Sequence, residues 1–326
     1  MLQDRHKRVI SYLRISVTDR CNFRCVYCMP EEGVDISPRA ELLTFEEIER
    51  IARVGATLGL SKIRLTGGEP TVRRDLPRLV AMLRAIPEIR EIAMTTNAAL
   101  LDELAVPLKN AGMDRLNISL DTLKPEKAEE IARRDYFGRV LAGIEASKRA
   151  GLGLKFNTVV MRGINDDELP TLLEFAHSYD AQIRFIEYMP MGMARFDERN
   201  RLVTADEMRG ILSEKFDLVP DVKGDMSDPA RGWICQRSGA RVGFITSMSD
   251  HFCETCNRMR LTAQGGLRPC LHQNAEVDAR AILRGGGSDE ELRGAFLEAA
   301  GLKWAGHRMN DVIPLFSSKE MVSIGG

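Results

Sequence analysis

Short apolar runs alternate with longer amphipathic stretches along the first two thirds of the chain. The run at 10–18 is rich in β-branched residues and predicts a strand, and the stretch at 44–59 predicts a helix. Thr44, with Glu47 three residues later, forms the pattern of a capping box at the start of that helix. The strand–helix order recurs until about residue 190 and makes six units. Alternating segments of this length predict a parallel sheet with right-handed crossovers.

Several of the predicted strands end in polar or glycine-bearing segments. These segments are Thr66–Glu69, Thr95–Asn97, Ser119–Asp121 and Glu187–Met189. In βα barrels the carboxyl ends of the strands carry the chemistry, so we expect these segments to surround one mouth. Six units are fewer than a complete barrel needs. We therefore predict an α/β fold, a partial six-unit βα barrel that the C-terminal part of the chain closes at one side.

The strand–helix rhythm ends near residue 215, where a segment rich in Gly, Pro and Asp follows. "WICQRSGARVGFITSMSD" then predicts a hairpin that turns near Ser238 and Gly239. "GGGSDEELRGAFLEAA" predicts a loop and a short amphipathic helix. We therefore divide the chain into a barrel domain, 1–217, and a C-terminal domain, 218–326.

Composition and charge narrow the classes of function. Apolar residues make up 44% and charged residues 29% of the chain, which is ordinary for a globular protein with a sizeable core. The balance of 46 basic and 47 acidic residues provides no overall field for nucleic acid or a membrane surface. No apolar run is long enough to span a membrane, and the N-terminus lacks the apolar core of a signal peptide. We predict a cytoplasmic protein.

Seven cysteines, six of them in two sets of three, are the strongest chemical signal in the chain. The first set is Cys21, Cys25 and Cys28, and the second set is Cys253, Cys256 and Cys270. Grouped cysteines without an export signal indicate metal binding or catalysis rather than disulfides. Cys235 has no partner at ligand spacing, and we expect it to be buried as a small apolar residue.

The number of cysteines in the first set bears on which kind of metal site they form. A structural zinc site needs four ligands, so three close cysteines would need a distant fourth. A cubane iron–sulfur cluster is usually held by cysteine thiolates at its corners, and three of them leave one iron open to a ligand. "TGGEP" at 66–70 supports the cluster, because its glycines let a ligand approach the backbone and Glu69 can accept from an ammonium group. We expect Phe23 and Tyr27 to shield the cluster and keep structural zinc as the alternative.

The second set could likewise belong to a zinc site or to an iron–sulfur cluster. His251 and His272 lie nearby, so a zinc ribbon with one histidine ligand is the alternative there. Arg258 and Arg260 occupy alternate positions of a predicted strand directly after Cys256, so their guanidinium groups point to one side. Guanidinium groups make paired hydrogen bonds to phosphate or to planar acceptors. We therefore favour an anionic substrate beside this set.

Together these motifs resemble the GTP 3′,8-cyclase (MoaA) family of radical SAM enzymes over nearly the whole chain. The segments that carry the resemblance include "ISVTDRCNFRCVYCMP", "KIRLTGGEPTVRRDL", "FCETCNRMRLTAQGGLRPCL" and the terminal "MVSIGG". The resemblance implies a radical SAM-type partial barrel with a C-terminal iron–sulfur cluster domain, two [4Fe–4S] clusters and S-adenosyl-L-methionine. It implies conversion of GTP into (8S)-3′,8-cyclo-7,8-dihydroguanosine 5′-triphosphate, the first step of molybdenum cofactor biosynthesis. A 5′-deoxyadenosyl radical would abstract the ribose C3′ hydrogen.

The resemblance also assigns roles to single residues. It implies that each cysteine set holds one cluster. The residues implied to bind S-adenosyl-L-methionine are Tyr27, Gly68, Glu69, Ser119 and Met189. The residues implied to contact GTP are Arg14, Arg64, Thr95, Lys155, Arg258 and Arg260. The catalytic roles fall on Arg258, Arg260, Gly325 and Gly326. Basic residues on barrel strands are costly to bury unless an anion neutralises them, and a triphosphate supplies that anion.

One position departs from the family pattern. Ala98 follows "TTN", where the family often has glycine. If this residue has a positive φ, alanine costs about 1 kcal/mol or more there. The departure bears on the shape of that loop and not on the function.

The partners implied by the resemblance are GTP, a reductant that supplies one electron, and a downstream cyclic pyranopterin synthase. Nucleic acid and membranes are not expected, and the oligomeric state is left between a monomer and a homodimer. Two alternative functions stay open. One is a radical SAM enzyme with an auxiliary cluster that acts on another substrate, such as a peptide. The other is a zinc module that binds nucleic acid, which the near-zero net charge disfavours.

Overall fold

Strands from both parts of the chain form one sheet. The computed structural model describes residues 1–189, 201–222, 227–307 and 321–324. The strands in these ranges are β1 (Tyr12–Ser16), β2 (Lys62–Thr66), β3 (Glu91–Thr96), β4 (Arg115–Ser119), β5 (Gly153–Val160), β6 (Gln182–Glu187), β7 (Leu218–Pro220), β8 (Ala230–Cys235), β9 (Arg241–Ile245), β10 (Arg258–Leu261), β11 (Gly266–Arg268) and β12 (Val277–Asp278). Their order in the sheet is β12-β11-β10-β1-β2-β3-β4-β5-β6-β9-β8-β7.

The six predicted parallel strands, β1 to β6, are confirmed as neighbours in chain order. Helices connect them, as the pattern requires. The helices of the described ranges are α1 (Phe45–Thr57), α2 (Leu76–Arg84), α3 (Leu101–Asn110), α4 (Pro125–Ala132), α5 (Phe137–Arg149), α6 (Leu169–Ser178), α7 (Ala205–Ser213), α8 (Ala279–Arg284), α9 (Asp289–Gly301) and α10 (Met321–Ile324). None of them is long and apolar enough to cross a membrane.

The C-terminal segment extends this sheet at both of its edges. β10 pairs in parallel with β1, and β9 pairs in parallel with β6. β11 and β12 continue one edge, and β8 and β7 continue the other, all in antiparallel pairs. The sheet stays open between β12 and β7 in the described ranges, which agrees with a partial barrel. The C-terminal segment thus meets both edges that bound the open side of the six-strand sheet, which agrees with a C-terminal part that closes the partial barrel at that side.

Apolar and polar side chains alternate along the strands, so the sheet has an apolar face and a polar face. Leu13 and Ile15 of β1 are fully buried in the core between the sheet and its helices, as is Leu65 of β2. Arg14 and Arg64, at the intervening positions, line a cavity on the other face. This period of two is what a strand imposes on its side chains. The sheet therefore presents charged side chains to an interior space.

The capping box predicted for α1 is confirmed, with both hydrogen bonds between Thr44 and Glu47 present. Asp75 directly precedes α2, but its φ is 59° and its side chain makes no capping hydrogen bond. Aspartate tolerates this left-handed conformation, whereas a capping residue normally has an extended backbone. The predicted hairpin is present as β8 and β9, and Cys235 on β8 is 3% exposed, as expected.

Candidate active site

The loop of the first cysteine set leaves β1 and is held by the end of α4. The Arg24 N–H donates to the Ala132 carbonyl at 2.9 Å, and the Val26 N–H donates to the Ile131 carbonyl at 3.0 Å. These two bonds satisfy carbonyls of the last turn of α4, which lack partners within the helix, and fix the centre of the loop. The three thiols of the loop line the interior cavity.

Two aromatic side chains flank this loop. Phe23 is 9% exposed and stacks on Tyr136, with 5.5 Å between the ring centroids. The Tyr27 hydroxyl donates to Asp121 Oδ2 at 2.7 Å. Burial raises the pKa of Asp121 to about 6, although hydrogen bonds from Tyr27 and Val159 lower it. Asp121 thus anchors the cysteine loop to the end of β4, a role that the sequence did not predict.

Burial of Cys21 and Cys25 favours the protonated form of their thiols. Burial raises the pKa of the Cys21 thiol to about 11, and the Glu69 carboxylate adds to the effect. Burial also raises the pKa of the Cys25 thiol well above its usual value, and Cys28 and Asp121 add to it. A cationic metal centre reverses this balance, because it binds the thiolate and releases the proton.

The glycines after β2 hold the cysteine loop from the other side. The Gly68 N–H donates to the Thr18 carbonyl, and the Glu69 N–H donates to the Arg20 carbonyl, both at 2.8 Å. A Cβ at Gly68 would lie 2.3 Å from the Arg20 carbonyl oxygen and 2.8 Å from Val322 Cγ2. Only glycine permits two backbones to approach this closely.

The Glu69 carboxylate joins the ends of β2 and β3 and is 2% exposed. Its Oε1 accepts from the Thr71 N–H at 3.0 Å, from the Thr71 hydroxyl at 2.6 Å and from the Thr96 hydroxyl at 2.7 Å. Its Oε2 accepts from the Asn97 N–H at 2.7 Å. Burial raises the pKa of Glu69, although these donors act in the opposite direction. A carboxylate oxygen has two lone pairs, so Oε2 can accept from a ligand as well.

The second cysteine set differs from the first in its charges. Cys253 begins a 3₁₀ turn, Cys253–Thr255, that Cys256 follows. Burial raises the pKa of the Cys253 thiol. Burial acts in the same direction on Cys256, but the Arg258 guanidinium and the Lys303 ammonium lower its pKa to about 6. This set therefore holds a thiolate beside cations before any metal binds.

Three arginines stand side by side on neighbouring strands. Arg14 on β1 is in register with Arg64 on β2 and with Arg260 on β10. Burial lowers the pKa of Arg260 to about 10, and the Arg258 guanidinium adds to the effect. Burial also lowers the pKa of Arg14 well below its usual value, and Arg260 adds to it. Buried cations that repel one another favour the binding of an anion.

One cavity of about 410 Å³ brings these groups together. All six cysteines of the two sets line it. The residues implied to bind S-adenosyl-L-methionine that line it are Tyr27, Gly68, Glu69, Ser119 and Met189. The residues implied to contact GTP that line it are Arg14, Arg64, Thr95, Arg258 and Arg260. In the described part of the chain Lys155 is not among the lining residues. Burial lowers its pKa to about 8, and the nearby Arg184 and Arg115 add to the effect.

The donor sets fit iron–sulfur clusters better than a single metal ion. Within the residues described, no three His, Cys, Asp or Glu side chains converge as ligands of one metal ion, so neither zinc alternative finds its four-ligand site there. A cubane cluster attaches each thiolate to a different iron, so its ligands surround a larger body than one ion. The three free thiols of each set supply the donor atoms that such a cluster takes.

Comparison with known proteins identifies the family. Residues 15–176 match the Radical SAM superfamily, and residues 181–309 match the family called Molybdenum Cofactor Synthesis C. A GTP 3′,8-cyclase of Syntrophomonas wolfei subsp. wolfei is 44% identical over 324 residues, which are 99% of this chain and 99% of that protein. A GTP 3′,8-cyclase of Pelotomaculum thermopropionicum is 46% identical over 327 residues, 100% of both. The chain belongs to the GTP 3′,8-cyclase family.

Further relatives agree with this assignment. The Molybdenum cofactor biosynthesis protein 1 of Drosophila melanogaster is 44% identical over 290 residues, which are 89% of this chain and 51% of that protein. SuiB of Streptococcus suis bound to S-adenosylmethionine has a TM-score of 0.60 at 17% identity, over 89% of this chain and 68% of SuiB. The likeness to SuiB shows the fold alone. As a member of the radical SAM superfamily, a GTP 3′,8-cyclase uses S-adenosyl-L-methionine and an iron–sulfur cluster.

Further charged residues to which the sequence reasoning gave no role also line the cavity of this GTP 3′,8-cyclase family member. Besides Asp121 they include Lys62, Arg115, Arg184 and Asp228. Arg184 Nη2 lies 2.5 Å from Asp228 Oδ2, and both side chains are largely buried. Lys62 and Arg184 stand at inward positions of β2 and β6, so the period of two that marked Arg64 marks them too. Asp228 lies in a loop, where no pattern indicates it.

The C-terminal helix α10 contributes to the same cavity. Met321 and Val322 line it, and Arg260 Nη1 donates to the Ile324 carbonyl at 3.2 Å. Gly325 and Gly326, to which a catalytic role was assigned by resemblance, follow α10 directly and lie outside the described residues. Ala98 has a φ of 66°, which is the conformation in which alanine is strained.

Proposed function

We propose that the protein is a radical SAM GTP 3′,8-cyclase. It converts GTP into (8S)-3′,8-cyclo-7,8-dihydroguanosine 5′-triphosphate in molybdenum cofactor biosynthesis. The observation that carries the proposal is the single cavity lined by two three-cysteine sets and by a row of buried arginines. Two sets of three thiols suit two cofactor sites, and buried cations suit a polyanionic substrate. Relatives named GTP 3′,8-cyclase over the full length of the chain support the reaction.

We assign one [4Fe–4S] cluster to each cysteine set, two in all. Cys21, Cys25 and Cys28 hold the first, and Cys253, Cys256 and Cys270 hold the second. S-adenosyl-L-methionine is assigned to Tyr27, Gly68, Glu69, Ser119 and Met189. When bound, the first cluster and S-adenosyl-L-methionine supply the 5′-deoxyadenosyl radical that takes the C3′ hydrogen of GTP.

The residues of the chain bind and orient these groups. Glu69 accepts from the ammonium group of S-adenosyl-L-methionine through Oε2, while its other hydrogen bonds hold the carboxylate in place. Phe23 and Tyr27 exclude water from the first cluster. The triphosphate takes its charge partners from the arginine row and from Lys155, and Thr95 adds a hydroxyl donor.

Four residues are assigned to catalysis: Arg258, Arg260, Gly325 and Gly326. Arg260 binds the carbonyl of Ile324, the residue before the terminal glycines. This bond brings the end of α10 to Arg260. We propose that the tail and the two arginines secure the nucleotide while it reacts.

The remaining parts of the proposal rest on the sequence. They are the division into domains 1–217 and 218–326, a one-electron reductant, and a downstream cyclic pyranopterin synthase that uses the product. The oligomeric state is left between a monomer and a homodimer, and the cytoplasmic location stays a prediction.

An anaerobic experiment tests the proposal. The protein is reconstituted with iron and sulfide, iron per chain is counted, and dithionite, S-adenosyl-L-methionine and GTP deuterated at C3′ are added. We expect about eight irons per chain, 5′-deoxyadenosine that carries one deuterium, and an equal amount of GTP consumed. If 5′-deoxyadenosine forms while GTP persists, GTP is not the substrate. If the protein takes up zinc instead of iron, both cluster assignments fail.

Cysteine variants provide the matched comparison. Cys270→Ala removes a proposed ligand, and we expect it to lose roughly half of the iron, since two equal clusters share it. Cys235→Ala changes a buried cysteine outside both sets, and we expect it to keep all of the iron. Equal iron in the two variants would contradict the assignment of Cys270.

A further inference from the structure

Lys303 is a buried lysine to which no role has been assigned so far. It follows α9 and is 3% exposed. Its ammonium donates to the Arg258 carbonyl at 2.8 Å and to the Pro269 carbonyl at 2.7 Å. Arg258 follows Cys256 by two residues, and Pro269 directly precedes Cys270. One ammonium group therefore ties together the two backbone segments that carry Cys256 and Cys270.

The residues after Lys303 hold the third cysteine of this set through Arg8. Arg8 Nη1 donates to the Cys253 carbonyl at 2.7 Å and to the Ala305 carbonyl at 2.9 Å. The Arg8 guanidinium is fixed in turn by Asp4, with 2.5 Å between Nε and Oδ2. Lys303 thus binds the segments of Cys256 and Cys270, and Arg8, which also contacts Ala305, binds the segment of Cys253.

A buried ammonium group is costly unless hydrogen bonds and negative charge compensate it. The two carbonyls use two of its three N–H bonds, and within the described ranges no carboxylate forms an ion pair with it. Lys303 also lines the cavity, together with the three thiols of the second set. Thiolates that bind a cluster are the negative charge that this arrangement still needs.

We propose that Lys303 is a positioning residue for the second cluster. Its ammonium fixes the segments of Cys256 and Cys270 at the separation that the cluster requires, and its charge compensates the thiolates. The inference rests on the proposed function, because it presumes that the second set holds a cluster. Groups that support a metal site from behind its ligands typically contribute about 10–100-fold in metal affinity.

Lys303→Met tests the proposal, because methionine keeps much of the length and apolar volume while it removes the charge and both hydrogen bonds. The matched control is Lys109→Met, since the Lys109 ammonium also donates to a carbonyl, that of Gly151 at 2.8 Å, but is exposed. After anaerobic reconstitution we expect Lys303→Met to hold roughly half of the parent's iron, with 5′-deoxyadenosine formation retained and GTP conversion reduced by about tenfold or more. We expect Lys109→Met to equal the parent.

A second measurement isolates the second set from the first. In a background with Cys21, Cys25 and Cys28 replaced by Ala, all cluster iron sits in the second set. Lys303→Met should there remove most of the remaining iron and the cluster's visible absorption, and Lys303→Arg should restore part of both. The midpoint of thermal unfolding, measured on the metal-free proteins, reports on the fold alone.

Full iron and unchanged absorption in Lys303→Met would overturn the proposal. Equal loss of iron from both sets, together with a large drop in the unfolding midpoint of the metal-free protein, would also overturn it, because the role would then lie in folding. Failure of the proposed function gives a different result. In that case the parent itself holds no iron in the triple-alanine background or leaves GTP unchanged when both sets are loaded.

Discussion

The steric fit at Gly68 gives a prediction whose size follows from three distances. A Cβ at this position would lie 2.3 Å from the Arg20 carbonyl oxygen, 2.5 Å from the Arg20 carbonyl carbon and 2.8 Å from Val322 Cγ2. Carbon atoms in contact prefer about 3.5–4.0 Å. Gly68→Ala therefore forces the Arg20 backbone to move by roughly 1 Å. Arg20 directly precedes Cys21, so the movement reaches the first cysteine set.

The cost has two parts. Overpacking at a site that cannot yield costs about 1–3 kcal/mol. The hydrogen bond from the Glu69 N–H to the Arg20 carbonyl, 2.8 Å long, is strained by the same movement, and its loss adds about 1 kcal/mol. We expect Gly68→Ala to lower the free energy of unfolding by about 2–4 kcal/mol.

Urea unfolding of the metal-free protein measures this change, and iron content after reconstitution measures the effect on the cysteine loop. Gly210→Ala is the control, because Gly210 lies inside α7 and no other described part of the chain comes within 4 Å of its Cβ position. Alanine there should raise stability by about 0.5–1 kcal/mol, since it favours helix more than glycine does. If Gly68→Ala is as stable as the parent and binds as much iron, the close approach of the two backbones does not constrain the site.

Three further predictions concern the charges and contacts around the cavity. Burial and neighbouring guanidinium groups lower the pKa of Lys155 to about 8. Its ammonium therefore loses its charge as the pH rises through 8, and we expect the Kd for GTP to increase about tenfold between about pH 7 and pH 9 by calorimetry. Lys155→Arg keeps its charge over this pH range and should abolish the increase in Kd. If Kd rises with pH equally in the variant and the parent, Lys155 does not belong to the triphosphate site. Gly143→Ala should destabilise the protein by more than about 2 kcal/mol, because its Cβ would lie 2.1 Å from the Ala98 carbonyl oxygen. Gly138→Ala on the same helix meets none of the described neighbouring residues within 4 Å and should be neutral or stabilising. Thermal unfolding compares the two variants, and equal shifts of the midpoint would count against the clash. Glu69→Gln should lower the free energy of unfolding in urea by about 2–3 kcal/mol. The reason is that an amide NH₂ group replaces one of the oxygens that accept hydrogen bonds from buried donors. An unchanged midpoint would mean that the carboxylate does not hold β2 and β3 together.

The barrel could be predicted because its signals are local. Short apolar runs between amphipathic stretches marked β1 to β6, and the capping box at Thr44 marked the start of α1. The same spacing at Thr204 and Glu207 forms a second capping box, at the start of α7. The place of β9 and β10 at opposite edges had no local signal, because pairing with β6 and β1 depends on residues far away in the chain.

In the candidate site, too, only the residues with a local sequence pattern could be predicted. The cysteines and the arginines after them stand at fixed spacings, so their chemistry could be recognised from the sequence. Lys303 and Arg8 are single basic residues without a spacing pattern. Their partners are backbone carbonyls, and the bond from Arg8 to Cys253 spans 245 positions. Only the folded chain brings these groups together.

The two borders of the sheet have a consequence for synthesis of the protein. Both edges of the six-strand core are covered by strands that lie after residue 240 in the chain. At about 5–20 residues per second the ribosome completes these strands several seconds after the core has emerged. During that interval β1 and β6 present unpaired N–H and carbonyl groups, which attract other chains. Until the last third of the chain arrives to cover both edges, we expect the nascent protein to be prone to pairing with other chains.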